Sequence, residues 1–107
     1  MSTLSTHVLD AVSGRPASGV AVTLTDTDAA VVATAVTDDD GRVTSVAGDL
    51  GDGVYRLHFD TGGYFASRAV AAFYPEVVIA FEVTGEVPHV HVPLLLSPYA
   101  YSTYRGS

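Results

Sequence analysis

Histidines, arginines and the polar residues at its end hold most of the chemistry open to this 107-residue chain. His89 and His91 stand two apart in the stretch His89-Val90-His91-Val92-Pro93-Leu94-Leu95-Leu96. Side chains alternate along a strand, so both imidazoles would share one face while Val90, Val92, Leu94 and Leu96 share the other. Such a pair is either the start of a zinc site, which needs a third and fourth ligand that only His7, His58 or carboxylates could supply, or two rings on a solvated strand surface. His7 falls on a strand face with Ser5 and Leu9. It reads as a packed or surface ring, or as a proton-transfer group whose ordinary pKa of about 6.5 suits neutral pH. Arg42 directly follows Asp38-Asp39-Asp40-Gly41. It is either a solvated neighbour of those aspartates or a guanidinium fork for the oxygens of a small molecule. The final Tyr104-Arg105-Gly106-Ser107 offers an aromatic ring, a guanidinium, a flexible link, a hydroxyl and a carboxylate. Chain ends usually fray, but an aromatic strand leads straight into this one and would anchor it.

Several chemistries are excluded outright. The chain has no cysteine, which removes thiol nucleophiles, thiolate metal sites and disulfides. All five basic residues are arginines (Arg15, Arg42, Arg56, Arg68 and Arg105), so neither a Schiff-base nor a phosphate-loop lysine exists. No Gly-x-Ser-x-Gly elbow occurs. A net charge of −7 opposes nucleic-acid binding, which needs a basic patch. It does not oppose a small anion. One arginine about 4 Å from a ligand charge contributes on the order of 4 kcal/mol at an effective dielectric of 20. Carboxylates beyond about 8 Å are largely screened.

These groups must be positioned by strands. Valine, threonine and aromatics recur in short runs broken by Gly, Pro and Asp clusters. The pattern predicts strands over residues 5–10, 20–25, 31–37, 54–60, 76–83, 89–96 and 99–105. Turns are expected at Ser13-Gly14-Arg15-Pro16 and at Asp38–Gly41, where Gly readily takes a positive φ. One short helix is predicted at Thr61–Ala66. About eight short strands in 107 residues imply an all-β antiparallel sandwich, one domain over residues 1–107. No apolar run has the length of a membrane-spanning helix. The opening Met1-Ser2-Thr3-Leu4 lacks the basic-then-apolar pattern of a secretory signal, so a cytoplasmic location and no membrane partner are expected.

The motifs also match a known family. His91-Val92-Pro93-Leu94-Leu95-Leu96-Ser97-Pro98-Tyr99, then Tyr101-Ser102-Thr103 and Tyr104-Arg105-Gly106-Ser107, resemble the 5-hydroxyisourate hydrolases, the transthyretin-like family of uric acid degradation. Thr6-His7-Val8-Leu9-Asp10 with Gly14-Arg15-Pro16-Ala17 is similar to the family's opening motif. Asp40-Gly41-Arg42 resembles its arginine motif and Phe73-Tyr74-Pro75-Glu76-Val77 its next marker. The matches run in family order from about Leu4 to Ser107.

The resemblance implies a transthyretin-like (prealbumin-type) sandwich assembled as a homotetramer, a dimer of dimers with active sites in the clefts between dimers. It implies that His7, Arg42, His91 and Ser107 are catalytic, and that Tyr104, Arg105 and Gly106 bind substrate. His89 lies outside the matched motif and is only a neighbour. The implied reaction opens the six-membered ring of 5-hydroxyisourate, a small purine-derived molecule, to give 2-oxo-4-hydroxy-4-carboxy-5-ureidoimidazoline, with no cofactor and no metal. In this scheme the two histidines share water activation and protonation of the leaving nitrogen. The alternative is a transthyretin-type carrier of small hydrophobic ligands, which would need none of these polar residues together.

Overall fold

Apolar alternation sorts the chain into two facing layers. The computed structural model describes residues 2–107, which form nine strands and one helix. In chain order the elements are β1 (Ser2–Asp10), β2 (Arg15–Pro16), β3 (Ala21–Thr25), β4 (Val31–Val36), β5 (Arg42–Leu50), β6 (Gly53–Phe59), α1 (Thr61–Ala66), β7 (Val77–Val83), β8 (His89–Leu96) and β9 (Tyr101–Thr103). One sheet runs β2-β1-β8-β9, with β5 also pairing along β1; the other runs β4-β3-β6-β7. The pairs are antiparallel except for β1 with β8, which is parallel. That exception brings the first and last long strands side by side.

The core fills the space between the sheets. Leu4, Val8, Val92, Leu94 and Leu96 face inward from one sheet, and Val22, Leu24, Leu57, Phe59, Val77 and Val83 from the other. Each fully buried Leu or Phe side chain stabilises the fold by about 1.5–3 kcal/mol. Because Leu4, Val8, Val92 and Leu94 point inward, strand alternation turns Ser5, His7, His89 and His91 to the opposite face of their sheet.

The helix forms where it is predicted, although two glycines weaken it. Asp60 caps it by accepting the Gly63 N–H at 3.0 Å. Tyr64 and Phe65 are buried, and the Tyr64 hydroxyl donates to Asp10 Oδ2 at 2.9 Å. Burial, reinforced by the Asp10 carboxylate, pushes the Tyr64 phenol up to about 12. No helix among the described residues is long and apolar enough to cross a membrane.

β1 starts at Ser2, three residues before the expected start, and other elements differ further from the sequence expectation. Arg15–Pro16, expected within a turn, makes a two-residue strand against Leu9 and Asp10. The last strand covers only Tyr101–Thr103. The whole of β5 escapes prediction. Its apolar residues Val43, Val46, Ala47 and Leu50 lack period two, because pairing with β1 shifts register between Ser2 and Leu4 and again between Leu4 and Thr6. Bulges of this kind break local alternation while keeping the strand in the sheet.

Candidate active site

Arg42 owes its position to the turn that carries the chain from one sheet to the other. Asp38 Oδ1 accepts the backbone N–H of Asp40 at 2.9 Å and of Arg42 at 3.0 Å, so this carboxylate organises the turn. Gly41 has φ +72°, and its carbonyl accepts from the Val8 N–H at 2.7 Å. A Cβ at Gly41 would lie 2.3 Å from the Val8 carbonyl oxygen. Gly41→Ala is therefore expected to destabilise the protein by at least about 1–3 kcal/mol, from the left-handed backbone alone. The denaturation midpoint measures this, and an unchanged midpoint would contradict the tight approach.

The turn delivers Arg42 opposite His7 in the β1–β5 register. On the other side of β1, Ser5 pairs with His91, and His7 with Pro93. His7 and His91 are thus diagonal neighbours on one face, about 8 Å apart at Cα from strand spacing and rise. His7 Nε2 lies 2.9 Å from the Asp40 carbonyl oxygen. A carbonyl only accepts, so this nitrogen carries the proton and the lone pair of the neutral ring sits on Nδ1.

Ser5, Arg42, Thr44, His89, His91 and Ser107 line a cavity of about 240 Å³, with Thr6 and Val43 completing it. That is below the roughly 300–1,000 Å³ of pockets for drug-sized ligands, which suits a small molecule. The Ser5 hydroxyl lies 2.8 Å from both His89 Nε2 and His91 Nδ1. Among the described residues, His91 Nε2 has no hydrogen-bond partner. Partial burial, then the positive charge of Arg42 and of the His7 and His89 rings, hold His91 below the usual histidine range. At neutral pH it is therefore an uncharged ring with a base nitrogen available.

The final residues close the site. The Gly106 N–H donates to the His91 carbonyl at 2.9 Å, an antiparallel bridge that ties the tail to β8. A Cβ on Gly106 would meet His91 Cδ2 at 2.4 Å. Only glycine lets the backbone lie this close to the imidazole, and the contact sets Ser107 at the cavity wall.

The structure thus gathers Arg42, His91 and Ser107 around one cavity, with Gly106 behind His91. His7 borders the group through its pairing with Arg42 rather than lining the cavity. Tyr104 and Arg105 lie elsewhere. With His91 they line a neighbouring cavity of about 490 Å³, whose walls include Ile79, Phe81 and Val90. Among the described residues no three His, Asp or Glu side chains are grouped to hold a metal ion. His89, Ser5 and Thr44 also line the cavity, although no motif in the sequence assigns them to the site. Period two puts Ser5 beside His7, but nothing local says that β1 lies parallel to a strand more than eighty residues later.

Comparison with known proteins agrees with this architecture. Residues 4–106 match the model of the HIUase/Transthyretin family. The chain is 48% identical to the 5-hydroxyisourate hydrolase of Caulobacter vibrioides over 100% of both chains. Its structure is similar to that of Klebsiella pneumoniae 5-hydroxyisourate hydrolase, with a TM-score of 0.92 and 40% identity, covering 100% of this chain and 94% of that one. It is also similar to sea bream transthyretin solved with thyroxine, with a TM-score of 0.89 and 32% identity, covering 96% and 93%. A sandwich with its first and eighth strands in parallel, matched along nearly its whole length by that family model, belongs to the HIUase/transthyretin family.

Proposed function

We infer that this chain hydrolyses 5-hydroxyisourate to 2-oxo-4-hydroxy-4-carboxy-5-ureidoimidazoline in purine degradation. The observation that carries the reading is one small cavity holding an uncharged His91, the Arg42 guanidinium and Ser107, in a relative of enzymes with that activity. Ring opening at an amide-type C–N bond needs an activated water, a stabilised oxyanion and a proton for the leaving nitrogen. His91 Nε2 takes the proton from water as its oxygen bonds to the carbonyl carbon. Arg42 faces the oxygen on which negative charge develops. His7, with its lone pair on Nδ1, serves as the second proton-transfer group beside Arg42. The Ser107 hydroxyl orients the water or the ring, and Gly106 holds Ser107 there. Tyr104 and Arg105 shape the approach from the adjoining cavity.

The carrier reading has the same sandwich, and sea bream transthyretin shows that this fold can be solved with thyroxine. A hydrophobic ligand gains nothing from a guanidinium and imidazoles at its binding wall. The polar wall around His91 favours the hydrolase. The active form in this reading is a cytoplasmic homotetramer, a dimer of dimers. In a single chain the site opens to solvent at Arg42, His89 and Ser107, all of them exposed. A second copy packed over the Arg42 and Ser107 end of that opening would complete the cleft, leaving His89 at its solvent-facing rim.

The direct test follows freshly generated 5-hydroxyisourate with and without the protein. Ring opening no faster than the spontaneous rate would overturn the reading. The pH profile gives a second check. Because its surroundings disfavour the charged ring, His91 stays neutral to a lower pH than a free imidazole. The acid limb of kcat/KM is therefore expected below about pH 6.5. A limb at or above that value, with chemistry rate-limiting, would remove His91 as the base.

A further inference from the structure

Ser5 stands between two imidazoles, and this couples them. Its Oγ lies 2.8 Å from His91 Nδ1 and 2.8 Å from His89 Nε2. A hydroxyl has one proton, so Ser5 can donate to one ring only and must accept from the other. If His91 carries its proton on Nδ1, His89 must present a bare Nε2. If His91 Nδ1 is bare, His89 must carry a proton on Nε2. Thr3 repeats the pattern at the far end, with its Oγ1 2.5 Å from His89 Nδ1 and 3.5 Å from the Pro88 carbonyl oxygen. The file Thr3–His89–Ser5–His91 therefore has two self-consistent polarities. Passing between them needs proton shifts and hydroxyl rotation, not movement of the strands.

The register explains why the file exists. Thr3 pairs with His89 and Ser5 with His91 along the parallel β1–β8 ladder, so all four side chains share one face. The file leads from the cavity to water, since His91 is partly buried whereas His89 and Thr3 are exposed.

We propose that Ser5 and His89 form a proton relay acting through His91, which lets one ring be base in the first half of the reaction and acid in the second. This rests on the hydrolase reading above. At rest His91 holds its proton on Nδ1 and turns the Nε2 lone pair to the water. As the water oxygen bonds to the carbonyl carbon, the carbonyl π pair moves to oxygen and a water proton goes to His91 Nε2. His91 Nδ1–H passes to Ser5 Oγ while the Ser5 proton passes to His89 Nε2. One proton has then moved from water to His89, and His91 is again neutral. When the oxyanion pair reforms the carbonyl and the C–N bond breaks, the leaving nitrogen takes the proton from His91 Nε2. The relay runs back, and His89 returns to neutral.

Charge placement is the physical reason for such a device. An imidazolium at His91 would face His7 from β1, Arg42 from β5 and His89 from its own strand, in a partly desolvated site that already disfavours its charged form. At exposed His89 the same charge is solvated by water. Ser5 and His89 are positioning residues here, since neither need touch the substrate.

The test uses the full chain with ¹⁵N-labelled histidine and the variants Ser5→Ala and His89→Phe. Without substrate, long-range ¹H–¹⁵N spectra are expected to show His91 as the Nδ1–H tautomer in the parent protein. In Ser5→Ala it should shift toward Nε2–H, the form an unrestrained imidazole prefers. In turnover, each variant should lower kcat by about 10- to 100-fold with KM within about twofold. The solvent isotope effect on kcat should change from a multi-proton to a single-proton dependence on deuterium content. His89 is exposed, so His89→Phe keeps the test open should Ser5→Ala fold poorly. A His91 tautomer indifferent to both substitutions, or kcat within twofold of the parent in both, would overturn the relay. A parent protein that opens no 5-hydroxyisourate would instead sink the hydrolase reading, and the tautomer coupling would still be read on its own.

Discussion

Replacing His91 by Asn is expected to lower kcat for 5-hydroxyisourate ring opening by about 100-fold or more, a loss of roughly 2.7 kcal/mol of transition-state stabilisation. Asparagine keeps a polar group near Ser5 but has no nitrogen that takes up a proton near neutral pH. The His91 backbone would go on bonding to Gly106, because that bridge uses the main-chain carbonyl. Its ring covers no part of the core, so the denaturation midpoint should stay close to the parent's. The kinetic loss therefore isolates proton transfer from folding. Turnover within a few-fold of the parent would place the base elsewhere, and His7, with its free Nδ1, would be next to test.

The second large effect concerns the tail. Gly106→Ala is expected to reduce kcat/KM by about 100-fold, comparable to the cost of a misplacement of about 1 Å in a catalytic group. The added methyl would sit 2.4 Å from His91 Cδ2, so either the imidazole turns or the tail lifts from β8. In the first case the Ser5–His91 hydrogen bond is lost, and in the second Ser107 leaves the cavity wall. Removing Arg105, Gly106 and Ser107 should abolish activity while leaving the sandwich folded. None of the three belongs to the buried hydrophobic core. Circular dichroism and a denaturation midpoint near the parent's would establish that the truncated chain is folded. An active truncation would take the tail out of the mechanism.

Both effects depend on contacts that no local pattern discloses. The Gly106 approach to His91 joins residues fifteen apart across a strand end, and Gly in a terminal Arg-Gly-Ser reads from sequence only as a flexible link. Missing β5 had a similar cause. Arg42 reads from sequence as a guanidinium beside aspartates, yet the strand it begins is hidden because bulges against β1 destroy its alternation. Pairing with His7, rather than proximity to Asp38–Asp40, is what aims Arg42 at the site.

By itself the sequence determined which face of each regular strand turns inward, because alternation is a local property of the extended chain. It therefore placed Val90, Val92, Leu94 and Leu96 against His89 and His91, and it located the Asp-Gly turn, the short helix and the family's motifs. The tertiary structure decided which strands lie side by side and in what register. Ser5 meets His91 only because β1 and β8, 86 residues apart at that contact, run parallel in one sheet. Register is chosen by how two whole sheets bury their apolar faces, a sum over the entire core, so no window of neighbouring residues contains it.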